Sequence, residues 1–499
     1  MSHEATSVAA PLRAALIIAL MAGLTACGGG GGGSGGGGFG LPLVTPAPAP
    51  TDAAAPAPAP APAATPTVHV NAPARVVTGT LYRYAVAVND GVASAWRWAW
   101  GDGSPDGNNN PTNHVWNRPG SFSMTAQATV GDATPSANQA VSVVSRPVVA
   151  GSVFTCGIKL DGTVACWGDN SYGQLGDGTT ESRNTPVTVQ GLSNVMGLGL
   201  GRDHACALKQ DGSVVCWGDN EYGQLGNNNS PNQSTPVPVA GLSGVVALTG
   251  GYEHSCALKD DGTVVCWGFD LQGELGDGTA GSARYTPAPV AGLSGVVAIG
   301  SGDDHTCALK SDGTVSCWGD NGNGQLGNGN MEETRATPVM ATGLSNVVAL
   351  AMGKRHSCAL KANSTVACWG DNDDGQLGDG TVESRAVPTA VPGLNGVAAL
   401  GLGGYHSCAL KADRSVACWG YNSSGQLGDN STASRSTPVD VAGLTDVMAV
   451  TSGEVFSCAL KVDGSIACWG NNYEGNLGDG STQGRLVPTL VSGGAVFWR

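Results

Sequence analysis

Residues 245–279 read VVALTGGYEHSCALKDDGTVVCWGFDLQGELGDGT. Three short apolar runs, at 245–248, 255–259 and 263–267, are separated by turns rich in Gly and Asp, the pattern of short antiparallel strands. A fourth run of Pro-Val-x-Val type, seen at 236–239 in the preceding copy, completes the unit. The Cys-Trp-Gly tripeptide of this stretch recurs with its cysteine at 166, 216, 266, 317, 368, 418 and 468, at intervals of 50, 50, 51, 51, 50 and 50. A period near 50 with four strands per copy predicts a propeller of seven four-stranded blades. Proline in the fourth run puts that strand at a blade edge, where a missing donor does no harm. No segment after residue 147 carries a sustained helical period, so the expected class is all-β.

Of 499 residues, 78 are Gly, 13% are charged and 41% are hydrophobic. That apolar share excludes a wholly disordered chain, and the lack of a three-residue glycine period excludes collagen. The net charge of −15 sits in the repeats, because from residue 151 onward there are 33 acidic and 18 basic side chains. Such an acidic surface repels phosphate backbones and excludes nucleic acid as a partner.

The copies closely resemble the regulator of chromosome condensation repeat family, through Gly-x-x-His-(Ser/Thr), Ala-Leu, Asp-Gly, Trp-Gly-x-Asn and Gly-Gln-Leu-Gly elements in fixed order. The resemblance spans residues 147–499 and implies a seven-bladed propeller. Repeat one begins at residue 147 without a Pro-Val-x-Val strand of its own, so the spare segment at 487–491 is expected to close the ring against the first blade. In the family's nuclear exchange factor, the loop before the His position supplies acidic residues to the face engaging its GTPase partner. Asp203 and Asp304 occupy comparable places here.

Fourteen of the 15 cysteines fall into seven pairs with nine residues between members: Cys156 and Cys166, Cys206 and Cys216, Cys256 and Cys266, Cys307 and Cys317, Cys358 and Cys368, Cys408 and Cys418, Cys458 and Cys468. In CALKSDGTVSC, residues 307–317, a three-residue loop with Gly313 at its left-handed position makes a hairpin that sets the cysteines opposite each other, within disulfide reach. Ser364 and Arg414 stand where the other hairpins have Gly, so those turns are expected to be strained or differently built. Metal binding competes through His-x-Cys at His204, His254, His305, His356 and His406. Repeats one and seven, however, keep both cysteines with Phe154 and Phe456 at the His position. Seven disulfides are therefore expected, with the histidines bonding backbone at blade ends. The acidic run at 371–375 lacks the glutamate that a calcium loop needs, so neither a metal nor a cofactor is expected.

Ahead of the repeats, residues 14–24 form an apolar run of signal-peptide length, too short to span a bilayer. Leu24-Thr25-Ala26-Cys27 resembles the lipobox of bacterial lipoproteins, which implies a signal peptide over 1–26 and lipidation at Cys27. Gly28 rather than Asp beside it implies outer-membrane sorting, with membrane contact through the lipid anchor only. A Gly-rich and then Pro/Ala-rich tether is expected over 27–66.

Residues 67–146 resemble the polycystic kidney disease domain, an immunoglobulin-like β-sandwich. Trp98 and Trp100, the Gly101-Asp102-Gly103 turn, His114-Val115-Trp116 and Pro119-Gly120 before Phe122 carry the likeness. Trp96, Trp98 and Trp100 alternate and so face one side of a strand. Exposed, they would stack on sugars; buried, they form the core.

Residues shared by all copies serve the blade, and those that differ between copies are free to bind. The dipeptide before each His position differs most, which makes Arg202, Asp203, Tyr252, Glu253, Asp303, Asp304, Lys354, Arg355 and Tyr405 the candidate binding residues. The plainer reading of the same side chains is solvated loop charge. A second variable set, Tyr172, Glu221, Tyr222, Phe269 and Tyr473, suits either binding or packing between blades. No nucleophile with a base, phosphate loop or isolated carboxylate pair stands out, so no enzymatic activity is expected. The resulting expectation is an envelope-anchored binding scaffold that recognises a protein or other macromolecule through one loop face. Inhibition of a secreted enzyme, as some secreted bacterial propellers of this repeat type inhibit β-lactamases, and polysaccharide or cell-wall adhesion are the alternatives. Guanine-nucleotide exchange, the activity of eukaryotic relatives, does not suit an exported lipoprotein.

Overall fold

The structure, a computed structural model, describes residues 65–73, 75–117, 119–144, 147–331 and 334–493. The expected signal peptide, the lipid acceptor Cys27 and all but the last two residues of the tether lie outside the described residues. Every described regular element is a β-strand.

The first seven strands form a sandwich. One sheet runs in the order Thr67–Asn71, Leu81–Asn89, Thr112–Val115. The other runs Arg75–Val77, Ser136–Val144, Gly120–Thr129, Ala95–Ala99. Alternation along Ala95–Ala99 and the residue after it turns Trp98 and Trp100 inward, where they stack at 5.5 Å and are buried with Tyr84, Trp116 and Met124. Two of the buried indoles have polar partners: Trp98 Nε1 donates to the Asn109 carbonyl at 2.9 Å and Trp116 Nε1 to the Tyr84 hydroxyl at 2.7 Å. Trp98, Trp100 and Trp116 are core, and Trp96 is half-buried against them.

Seven four-stranded antiparallel sheets follow, each made from one repeat. Blade 2 is typical, with Val195–Leu200 innermost, then His204–Lys209, Val214–Gly218 and, outermost, Gln233–Pro238. Its register sets Cys206 opposite Cys216, and the same opposition in every blade carries the seven disulfides, with Cα atoms 4.0 to 4.1 Å apart. Glycine after Trp is required where the third strand bends toward the outer one. Gly218 has φ +101°, and a Cβ there would run into the Asp203 carbonyl oxygen. Ser364 and Arg414 adopt the same turn as glycine does elsewhere, with φ of +64° and +69°. Their amides donate to Lys361 and Lys411 at 2.9 Å, as Gly313 does to Lys310.

Adjacent blades are joined by the invariant tryptophan. In each blade its indole N–H donates across the joint, over 2.8 to 3.0 Å, to the main-chain carbonyl of the residue before Leu in the previous blade's Gly-x-Leu-Gly turn. All seven of these tryptophans are fully buried, which contributes roughly 3 kcal/mol of apolar burial per joint. The histidines act at the same joints rather than on backbone, which corrects the sequence expectation. His204, His254, His305, His356 and His406 each meet a Ser or Thr hydroxyl of the next blade at 2.7 to 2.9 Å. A hydroxyl can accept from the imidazole while donating onward, as Ser357 does to the Gln325 carbonyl at 3.0 Å.

Ring closure also departs from expectation. The C-terminal strand Arg485–Leu490 pairs with Ile466–Gly470 of its own blade 7, and blade 1 has its own outer strand, Arg183–Thr188. Blades 7 and 1 meet as any neighbours do, through Trp167 Nε1 to the Asn476 carbonyl at 3.0 Å and the Glu454 amide to the Ser152 carbonyl at 3.0 Å.

The sandwich packs on the hairpin-turn end of the propeller. Leu81 and Val115 join the core cluster of Ala349, Ala351 and Val397, and Asn113 Nδ2 donates to the Ala362 carbonyl at 3.4 Å. Thr78, Gly79, Asn117 and Pro119 cover that end of the channel, enclosing with the innermost strands a cavity of about 250 Å³.

Candidate functional site

The channel's other end is formed by the loops that lead from each innermost strand into the second strand. Backbone hydrogen bonds link successive loops: Arg202 N–H to Tyr252 O at 3.3 Å, Tyr252 N–H to Asp303 O at 2.9 Å, Asp303 N–H to Lys354 O at 3.1 Å and Gly404 N–H to Glu454 O at 3.1 Å. This lacing holds the variable dipeptides in two concentric rings around a depression of about 100 Å³.

First members of the dipeptides make the inner ring, and it is charge-balanced. Lys354 reaches across the mouth to Glu454 at 2.9 Å and to Asp303 at 3.5 Å, and lies over the Tyr405 ring at 5.2 Å. Burial works against its charge, but Asp303 and Glu454 outweigh that and raise the ammonium's pKa. Arg202 stacks on Tyr252 at 4.4 Å and contacts Asp203 at 3.3 Å.

Second members make the outer ring, where the acidic surplus lies. Asp203, Glu253 and Asp304 stand beside the residues that follow Trp-Gly, among them Asp169, Asp219 and Asp320. Burial, helped by those neighbouring carboxylates, pushes Asp203 up to about 6 and Glu253 up to about 7, and raises Asp304. Arg355, the one basic member, is exposed. Tyr405 packs edge-on to Tyr421 at 6.1 Å.

All nine residues singled out from the sequence therefore gather at one mouth, but not in one role. Asp303 and Lys354 are engaged with each other, while Asp203, Glu253, Asp304 and Arg355 form the outward-facing charge. Glu454, the closer partner of Lys354, and the acids following Trp-Gly belong to the site as well. Variation at the position after Trp-Gly, which reads Asp, Asp, Phe, Asp, Asp, Tyr and Asn along the chain, is the signal that marks the latter. Of the second variable set, Tyr222 and Phe269 pack edge-to-face across blades 2 and 3 at 4.9 Å, whereas Tyr172 and Tyr473 are 44% and 79% exposed. Among the described residues no three His, Cys, Asp or Glu side chains come together to hold a metal.

Comparison with known proteins agrees with this architecture. The family model described as RCC1-like domain matches residues 245–498, and models of the regulator of chromosome condensation (RCC1) repeat match 144–174, 161–208 and 211–258. A PKD domain model matches 67–145. Yeast RCC1 (Prp20), solved bound to Kap60, is 25% identical with a TM-score of 0.61, over 68% of this chain and 86% of that one. Human WBSCR16 has the same fold, at 22% identity and a TM-score of 0.60, over 66% of this chain and 94% of its own. The human E3 ubiquitin-protein ligase HERC2 is 39% identical over 90 residues, 18% of this chain and 2% of that protein. The zebrafish Protein RCC2 homolog is 40% identical over 78 residues, 15% of this chain and 16% of its own. The chain thus spans only a small part of these curated relatives. Seven blades of one repeat, the shared joint residues and a matching model over half the chain lead to one conclusion: this protein belongs to the RCC1-like domain family, with a PKD domain ahead of the propeller.

Proposed function

We propose that this protein is a non-enzymatic binding scaffold, and that it engages a protein partner through the outer ring of the channel mouth. The observation that carries this reading is the contrast between the propeller's two ends. The hairpin-turn end is covered by the sandwich, whereas no described residue outside the blades covers the mouth, which is ringed by side chains that differ from blade to blade. A surplus of partly buried carboxylates beside exposed tyrosines suits a protein surface carrying basic groups. Yeast RCC1, solved bound to Kap60, is a relative with a protein partner. Trp98, Trp100 and Trp116 of the sandwich are buried, so they offer no stacking platform for polysaccharide adhesion. Anchoring in the outer membrane through a lipidated Cys27 completes the proposal, with the tether holding the propeller off the bilayer. Inhibition of a secreted enzyme would use the same face.

The test is affinity capture from envelope extract and culture supernatant, with the oxidised parent beside an Asp203→Ser, Glu253→Ser, Asp304→Ser variant. Retention of a protein by the parent, and its loss from the variant, is the expected result. Equal retention by both removes the mouth as the site. Inhibition assays on any retained enzyme separate inhibitor from scaffold.

A further inference from the structure

Blade 3 departs from the other six within a single turn. Phe269, Asp270 and Glu274 stand where blade 1 has Asp169, Asn170 and Gln174. In the six other blades the Asn works the same way. Its Oδ1 accepts the backbone N–H five residues on, at 2.9 to 3.1 Å, from Leu175, Leu225, Leu326, Leu377, Leu427 and Leu477. Its Nδ2 donates to the side chain seven residues on and to the carbonyl nine residues on. For Asn170 these are Asp177 Oδ1 at 3.3 Å and Thr179 O at 3.1 Å, and for Asn321 they are Asn328 Oδ1 at 3.3 Å and Asn330 O at 3.0 Å.

Asp270 keeps the first half of that arrangement, since its Oδ1 accepts the Leu275 N–H at 3.1 Å. A carboxylate is planar like a carboxamide, so with Oδ1 held, Oδ2 lies where the nitrogen would be. It has no hydrogen-bond partner there, and the residue is 1% exposed. An acceptor has replaced a donor in a pocket built of acceptors. Asp277, seven residues on and 8% exposed, adds a second carboxylate whose charge acts on Asp270. Arg284 pairs with Asp277 at 2.5 Å, but the equivalent arginine is present in blades 1, 5, 6 and 7 beside a neutral Asn, so the charge of Asp270 is extra.

We propose that Asp270 and Asp277, with carbonyl oxygens of the 277–284 turn, bind a divalent cation, namely calcium. The donors are all hard oxygens with no nitrogen or sulfur among them, the set that calcium takes. This turn is one residue longer than its counterparts in blades 1, 2, 5, 6 and 7, and Gly278 and Gly281 sit in it at φ +96° and +95°, which leaves its carbonyls room to turn inward. Burial pushes Asp270 up to about 6, with the Asp277 carboxylate adding to the rise and the Arg284 guanidinium opposing it. A bound ion would fix the turn against blade 4, where the Gly278 amide already donates to the Ala336 carbonyl at 2.8 Å.

Calorimetric titration of the oxidised, chelator-treated full chain with calcium chloride tests this, beside an Asp270→Asn variant. That substitution restores the residue used by six blades, so folding is retained. One calcium bound per parent chain, a rise in Tm of roughly 2 °C with excess calcium, and neither effect in the variant are expected. A parent that takes up no calcium, or a variant that binds it equally well, overturns the proposal. So does a parent silent to calcium whose Tm falls as pH rises from about 4 to about 6 while the variant's does not, since Oδ2 then holds a proton in the folded chain.

Discussion

The joints between blades and the mouth they surround are built from the same seven repeats, yet they obey opposite rules. At the joints every copy places the same atoms together: an indole N–H on a carbonyl and, at five of the seven, an imidazole on a hydroxyl. At the mouth no two dipeptides match, and contacts join residues remote in sequence, such as Lys354 and Glu454, 100 positions apart. Repetition at the joint holds a closed ring whatever the mouth contains, and this separation lets the mouth vary without cost to the fold.

The largest effect is expected from truncation after Gly484. It removes the outer strand of blade 7 and also Arg485, which pairs at 2.6 Å with Asp479, a carboxylate only 2% exposed. A buried charge left without its partner, together with the lost strand pairing, costs on the order of 4 kcal/mol. Denaturant unfolding measures it. A change below about 1 kcal/mol would mean that outer strands contribute little and that the joints alone hold the ring.

A smaller effect tests the joint itself, and the chain carries its own control. Where blade 1 has Phe154 in place of His, blade 2 has Ala205 in place of the hydroxyl that would meet it. Ser357→Ala should cost about 2 kcal/mol, because His305, whose Nδ1 already lacks a partner, then loses its Nε2 partner as well. Adding His305→Phe recreates the native pair of blades 1 and 2 and should recover about half of that loss. A pH series sharpens the result. Burial lowers the His305 pKa to about 4, against 6.5 when unfolded. As pH falls from 6.5 to 4 the unfolded chain takes up a proton that the folded chain refuses, so stability is lost across that window. The double variant should lose about 1.4 kcal/mol less per pH unit there. Equal slopes would mean that His305 is not held neutral.

Much of this architecture was legible because it repeats. Blade number, strand order, the opposed cysteines and the sandwich core all follow from period and alternation. The tryptophan joint was not legible, since its acceptor is a main-chain carbonyl that no residue type announces. The histidine partners show only in part in the chain itself: Phe154 goes with Ala205, but Thr155, the counterpart for Phe456, keeps its hydroxyl. Strand 485–490 was misplaced because counting from Cys-Trp-Gly does not say which sheet an edge strand joins, and the preference for pairing with the sequence neighbour prevails. At the mouth the dipeptides announced themselves, but the neutral inner ring did not, because its pairing spans separate blades. Asp270 differs from its six counterparts by one atom type, and only its surroundings make that difference matter.

The smallest expected effect concerns the hairpin ends, far from both joint and mouth. Ser364 and Arg414 occupy turns that five other blades close with Gly, at φ values of +64° and +69°. For a residue with a Cβ the left-handed conformation costs about 1 kcal/mol, whereas glycine enters it freely. Glycine's extra freedom in the unfolded chain offsets part of that gain. Ser364→Gly and Arg414→Gly should therefore each stabilise by about 0.5 kcal/mol, additively because they lie in different blades, and leave partner capture unchanged. Arg414 adds a discriminating detail, since its charge acts on Tyr82 of the sandwich, whose hydroxyl accepts the Val77 N–H at 3.0 Å. If Arg414→Gly destabilises while Ser364→Gly stabilises, Arg414 is kept for its place beside the sandwich. The covered end of the channel would then depend on Arg414 as well as on the packing of Leu81 and Val115 and the Asn113 bond to Ala362.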